Sequence, residues 1–207
     1  MEKLDLTKKY KSYYSAKTTP EIVEIEPVQC LSIGGKGDPS GNDFREHLLA
    51  LYSTAFTLKF SYKAAHLDFV VPKLEALWWF DAKKYSGYSM TEAPQKIPRS
   101  EWCYKLLIRV PDFVTVGLVE QSKNSVVSKK GIALANQVAL DQIHEGKCVQ
   151  ILHIGPYSSE PVSLQKMMEI MFTHHFKQNG PHHEIYLSDF NKTDPQKLKT
   201  ILREPVK

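Results

Sequence analysis

Close to the C-terminal end, the stretch "PHHEIYLSDF" (181–190) sets ionisable and aromatic side chains at a spacing of two. Ile185 and Leu187 alternate with Glu184, Tyr186 and Ser188, the period of a strand buried on one side. Glu184 and Tyr186 therefore share a face, a carboxylate beside a phenol. A solvated Glu opposite an apolar face is ordinary. A Glu lining a pocket could pair with a cation or take a proton from water. Aromatic residues recur in similar settings. Trp78 and Trp79 are adjacent in an extended segment, so one ring faces each side. Trp102 and Tyr104 share one face of the next such segment, and Tyr157 follows "HIGP" in a loop. Each ring taken alone reads as core. As a set gathered round one carboxylate, Trp78, Trp79, Trp102, Tyr104, Tyr157 and Tyr186 suggest an aromatic-walled pocket for flat or cationic ligands. His153 is a weaker candidate, because strand alternation can turn it inward.

Other chemistries fit the residues poorly. His182, His183 and Glu184 are consecutive on a strand and cannot all meet one ion without a bulge, and the helical H-E-x-x-H spacing is absent. No metal site is expected. "GGKGDPSG" (34–41) lacks the G-K-[ST] of a phosphate loop, and Asp38 would oppose a phosphate. It reads as a glycine-rich turn with helix caps. No G-x-S-x-G elbow occurs, and no cofactor is expected. Cys30, Cys103 and Cys148 lie in apolar, strand-like runs and form no C-x-x-C pair, so they read as free thiols in a reducing compartment.

The elements that must position these residues come in two copies. "VQCLSIGG" (28–35) and "VQILHIGP" (149–156) resemble each other, and each precedes a helical segment. After the first come Phe44, Leu48, Leu51, Tyr52, Ala55 and Phe56 at helical spacing, with Ser40 or Asn42 as expected N-cap. After the second come Leu164, Met167, Met168, Met171 and Phe172, with Ser159 as cap, Pro161 in the first turn and Gly180 at the end. Two extended segments follow each helix: 67–80 and 101–110, then 182–190 and 198–206. Both halves read β-α-β-β. The expected fold is α+β: tandem repeats joined in an antiparallel-rich sheet, two long helices on one face, and a ligand cleft on the pseudo-two-fold axis. A groove is expected on the face away from the helices. The domain expected over 21–207 comprises a first half (about 21–110), a mostly helical linker (about 111–146) and a second half (about 147–207), after an N-terminal extension of residues 1–20.

Composition limits the classes of function. The 207 residues are 42% apolar and carry a formal charge of +4, mildly basic and with no long Lys/Arg run. That does not favour nucleic-acid binding. No apolar leader or membrane-length run is present, so cytoplasmic localisation and no membrane partner are expected.

"EGKCVQILHIGPYSSE" (145–160) and "HHEIYLSDFNKTDPQKLKTILREPV" (182–206) resemble the GyrI-like small-molecule-binding family. "VVPKLEALWW" (70–79) and "RVPDFVT" (109–115) resemble its stand-alone bacterial branch. The resemblance implies the tandem fold and a cleft in which the residue matching Glu184 meets the ligand. Many relatives are effector domains behind a helix-turn-helix. About twenty polar residues precede the first strand here, so direct DNA binding is not expected. Some stand-alone members hydrolyse cyclopropane-bearing DNA-alkylating natural products using an aromatic cage. By that resemblance Glu184 is the expected catalytic group, the aromatics and His153 the binding residues, and a small aromatic molecule the partner. Sequestration without chemistry, and a gyrase-interacting, toxin-protecting role like that of the namesake branch, remain alternatives.

Overall fold

Two β-α-β-β units meet edge to edge in the computed structural model, which describes residues 3–88 and 91–207. The first comprises β2 (Val28–Lys36), α2 (Asn42–Ala64), β3 (Leu74–Trp79) and β4 (Cys103–Arg109). The second comprises β6 (Gly146–Ile154), α5 (Glu160–Thr173), β7 (His182–Tyr186) and β8 (Lys199–Pro205). Two further strands, β1 (Glu21–Ile25) and β5 (Ala139–Ile143), complete an eight-stranded sheet of order β1-β6-β8-β7-β3-β4-β2-β5. Every pairing of these strands is antiparallel. The order is symmetric about the β7–β3 seam, the seam created by the duplication. Three other helices are α1 (Leu6–Lys9), α3 (Ala93–Lys96) and α4 (Val116–Lys130). Among the described residues no helix is long and apolar enough to cross a membrane.

The pattern of buried side chains shows why the sheet carries two layers. Leu31, Ile33, Leu74, Ala76, Leu106 and Ile108 form one face, packed beneath Ala50, Leu51, Ala55 and Leu58 of α2. Val149, Ile151 and Leu202 continue that face beneath Leu164, Met167 and Met171 of α5. α2 packs over β2 and β4 and α5 over β6, so the two helices flank the central β3–β7 seam. Gly35 is required locally: a Cβ there would lie 2.5 Å from the Tyr104 ring.

The linker contains α4 and a short 3-10 turn (Ala133–Gln137), and β5 then joins the sheet beside β2. The expected helix ends are corrected. The N-cap of α2 is Gly41, without a side-chain bond, because Asp38 already takes the Ser40 N–H and hydroxyl. Ser159 does occupy the N-cap of α5, but its hydroxyl donates to the Pro156 carbonyl at 2.7 Å rather than capping. That helix ends at Thr173, well before Gly180, and His175 takes the left-handed conformation at φ 55°.

The sheet face away from the helices is not a groove. Residues 10–16 lie across it, burying Tyr13 and Tyr14 against Cys30, Leu77, Leu107, Cys148, Ile185 and Ile201. Beneath them sits a buried charged cluster. Tyr13 donates to Glu75 at 2.6 Å, and His183 donates from its two ring nitrogens to Glu145 (2.9 Å) and Glu75 (3.1 Å). Arg203 donates to Glu145 at 3.2 Å, to Gln150 and to the Tyr13 carbonyl. The polar tail expected of residues 1–20 supplies two tyrosines that close this face, so any cleft must lie on the helix side.

Candidate functional site

Strand register puts Glu184 on the helix side of the seam. It lies opposite Ala76 on β3 and Leu202 on β8, and the small Ala76 leaves space above the strand. The carboxylate side chain is 14% exposed, with His182 Nε2 3.7 Å from its Oε1. Tyr186, two residues on, shares that face as strand alternation requires. Trp78 donates from its indole N–H to the Tyr186 hydroxyl at 3.2 Å. The Tyr157 ring stands edge-on to Tyr186 at 6.1 Å between centroids. Trp78, Tyr157, Glu184 and Tyr186 are thus brought together, from both halves of the chain.

The remaining sequence candidates lie elsewhere. Trp79 faces the opposite side of β3, at the surface. Tyr104 is fully buried behind the site, in ring contact with Trp78 (5.6 Å) and Phe44 (4.9 Å), and its hydroxyl meets His47 at 3.0 Å. Trp102 donates to the Ile97 carbonyl and packs edge-on against Phe80. His153 is buried under α5, with Nδ1 2.9 Å from the Ser163 hydroxyl and Nε2 near Ser159 and the Pro156 carbonyl. It braces the turn that presents Tyr157 rather than facing the cleft.

Three contributors escaped the sequence. Phe44, counted there as a core position, lies nearly parallel to Trp78 at 5.9 Å and covers it. His182 meets Glu184 on one side and Glu204 at 2.8 Å on the other. Glu160 begins α5, where Glu is a routine first-turn residue, so nothing in the sequence marks it. Its Oε1 is buried without a hydrogen-bond partner among the described residues.

The local electrostatics follow from these neighbours. Burial and the Glu184 charge push the Tyr186 phenol well above its usual range. Burial, then Glu184 and Glu160, push Tyr157 up to about 12. Burial disfavours a charged His182, but the Glu204 carboxylate and its hydrogen bond outweigh this and raise its pKa. His153 is lowered, chiefly by burial. The phenols therefore stay protonated at neutral pH and can donate to an oxygen that gains negative charge.

An open groove of about 750 Å³ adjoins this cluster beside α2, lined by Leu48, Tyr52, Val71, Leu74, Tyr186 and Asp189 among others. Tyr186 belongs to both groove and cluster; Glu184 and Trp78 are not among the residues lining the groove. The pair can hold a planar body and place one end of it against a carboxylate.

The model of the GyrI-like small molecule binding domain matches residues 18–207, almost the whole chain. The chain belongs to the GyrI-like family. No protein with a curated description matches it. Among solved structures, the GyrI-like chain is similar to an uncharacterized conserved protein from Listeria innocua at 36% identity, with TM-score 0.88. The match covers 99% of this chain and 100% of that one. A protein described as a hydrolase from Listeria innocua matches at 35% identity and TM-score 0.84, with the same coverage. Another Listeria innocua hydrolase matches at 33% and 0.85, covering 100% of both chains. The EcmrR C-terminal domain, at 12% identity and TM-score 0.58, shares the fold. Membership assigns the GyrI-like chain a small-molecule-binding domain.

Proposed function

We propose that the cleft between α2 and α5 binds planar aromatic compounds, cationic ones included, and hydrolyses cyclopropane-bearing DNA-alkylating molecules, a detoxification activity. The observation that carries this reading is the convergence of Trp78, Tyr157 and Tyr186 on Glu184. The description of two relatives at 35% and 33% identity as hydrolases supports turnover over binding alone.

The chemistry follows from the ligand class. A strained cyclopropane is conjugated to a planar dienone. Water attacks a ring carbon, the ring C–C bond breaks, and its electron pair moves through the conjugated system to the carbonyl oxygen. Glu184 takes a proton from the attacking water, an effect typically worth a factor of about 10² to 10⁴. A tyrosine hydroxyl donates a hydrogen bond to the oxygen as it becomes a phenolate, which then takes a proton from solvent. Phe44 and Trp78 hold the plane of the ligand. A flat body between two rings needs roughly 3.5 Å on each side. Their 5.9 Å separation therefore has to widen, and Phe44, at the start of α2, is the side chain to swing.

The test is incubation with a cyclopropane-bearing alkylator, following the water adduct by mass spectrometry. Catalytic ring opening by the wild type and its loss in Glu184→Gln are expected. Stoichiometric binding without turnover would reduce the protein to a sequestering one.

A further inference from the structure

Two adjacent histidines on β7 each stand between two glutamates, one set on either face of the sheet. On the covered face His183 makes both contacts at hydrogen-bond length, 2.9 Å to Glu145 and 3.1 Å to Glu75. On the helix face one contact is made and the other is left open. His182 Nδ1 lies 2.8 Å from Glu204 Oε2, whereas its Nε2 is 3.7 Å from Glu184 Oε1, beyond hydrogen-bond length. Glu204 is the rigid member of this set. Its side chain is 1% exposed, and its other oxygen accepts from the Gln178 amide at 2.6 Å. Gln178 is itself held by a backbone bridge to Val206. The register that pairs His183 with Arg203 sets His182 beside Glu204, so β8 holds the ring and its second nitrogen is turned toward Glu184. The reaction above gives Glu204 no part. Burying a carboxylate inside a strand is costly, however, and a glutamine would fill the same space.

Resting on the reading of Glu184 as the base for ring opening, we propose that Glu204 is a positioning residue that acts through His182. It holds the ring as an imidazolium, which draws one oxygen of Glu184 inward and leaves the other to the attacking water. An imidazolium donates from both nitrogens, so its Nε2–H can close the 3.7 Å gap once a ligand shuts out water. A neutral ring that donates to Glu204 turns a lone pair toward Glu184 instead and repels it. Burial works against the charged ring, but Glu204 and its hydrogen bond outweigh this and raise the His182 pKa. The other charged groups acting on the ring are Glu184, which adds to the rise, and His183, which opposes it; β3 presents the uncharged Trp78 opposite. Glu184 also acts on Tyr186, on Tyr157 before α5, on Glu160 of α5, which Arg99 offsets, and on His153 of β6. The His182 charge is complete below its ordinary 6.5 and is lost as pH rises through the raised value. Turnover therefore declines on the alkaline side as His182 titrates.

The test follows two quantities over one pH range: the charge and tautomer of His182, by imidazole nitrogen NMR, and kcat for a cyclopropane-bearing alkylator. In the wild type the alkaline decline of kcat is expected to coincide with the His182 titration. Glu204→Gln keeps the shape and a hydrogen bond to Nδ1 but removes the charge. It is expected to move titration and decline together to lower pH, and to lower kcat near neutrality by up to about 10²-fold with KM kept. His182→Gln is expected to lack that decline, and adding Glu204→Gln to it should cost no further kcat. A decline that belongs to His183, raised to about 9 on the covered face, would not move in Glu204→Gln. A wild-type decline that does not follow the His182 titration overturns the proposal, and so does a kcat and pH profile unchanged in Glu204→Gln. The first comparison needs only the wild type, so a folding defect in a variant leaves it decisive. If Glu184→Gln still abolishes turnover in either case, Glu184 stands as the base without this support. A wild type with no turnover would remove the hydrolytic reading and this inference together.

Discussion

The two faces of β7 carry the same kinds of residue in opposite states. On the covered face His183 stands between Glu75 and Glu145, with Arg203 on Glu145. Two carboxylates meet two cations there, and hydroxyl and amide groups take the remaining hydrogen bonds. On the helix face Glu160 keeps one buried oxygen without a partner among the described residues, and Glu184 has His182 at 3.7 Å. Removing one partner from a satisfied buried ion cluster is expensive, whereas an unsatisfied cluster has capacity left for a ligand. One strand thus separates a brace joining the N-terminal segment to both halves of the sheet from a site with free valence.

The sharpest way to break this comparison is to neutralise one carboxylate on the open face. Glu184→Gln is expected to lower turnover of a cyclopropane-bearing alkylator by about 10² to 10⁴ and to leave the melting temperature nearly unchanged. A large drop in melting temperature would make Glu184 structural. On the covered face the reverse is expected. Arg203→Ala leaves Glu145 buried without its guanidinium and should cost about 3–5 kcal/mol in chemical denaturation, while ligand affinity measured well below the melting temperature is kept.

The pH dependence of stability sharpens the same contrast. Burial disfavours a charged His183, but Glu145 and hydrogen bonds to Glu145 and Glu75 outweigh it and raise the pKa to about 9. Burial works against an ionised Glu145 too, yet His183 and Arg203 bring it down to about 2. The His183 contribution is complete below its ordinary value of 6.5 and is lost as pH rises through about 9. The Glu145 contribution is complete above its ordinary 4.5 and is lost as pH falls toward about 2. Thermal melts should therefore show a plateau between 4.5 and 6.5 with a decline on either side. His183→Gln should flatten the alkaline decline; an unchanged decline would place it in other groups.

Smaller effects are expected at the rim of the site. Tyr186→Phe strands the Trp78 indole N–H and should cost about 1–3 kcal/mol of stability by denaturant titration. Tyr157 is 41% exposed, so Tyr157→Ala should leave the melting temperature alone. It should weaken binding of a planar ligand by about 0.5–1.5 kcal/mol, read by fluorescence titration.

Which parts of this were legible in the sequence depends on how local their cause is. The paired "VQCLSIGG" and "VQILHIGP" motifs with their following helices are local patterns, and the tandem β-α-β-β fold followed from them. Alternation in "HHEIYLSD" correctly grouped Glu184 with Tyr186. Period two cannot say which face is covered, however, and that depended on Tyr13 and Tyr14 arriving from more than a hundred residues away. The same ambiguity left Trp78 and Trp79 unresolved until the β3–β7 register set Trp78 opposite His182, on the face where its indole reaches the Tyr186 hydroxyl. Glu75 within "LEALWW" and Arg203 within "ILREPV" are opposite charges inside apolar runs, a signal of buried pairing that was present but unused. Glu160 left no such trace, because a helix start explains a glutamate without any ligand.

The most direct measurement is the crystal structure of the protein with a planar aromatic cation bound. Ring density between Phe44, Trp78, Tyr157 and Tyr186, with its positive group against Glu184, is the predicted result. Density on the face closed by Tyr13 and Tyr14, or in the shallow hollow near Glu24 and His144, would contradict the assignment of the open face of β7 as the ligand site.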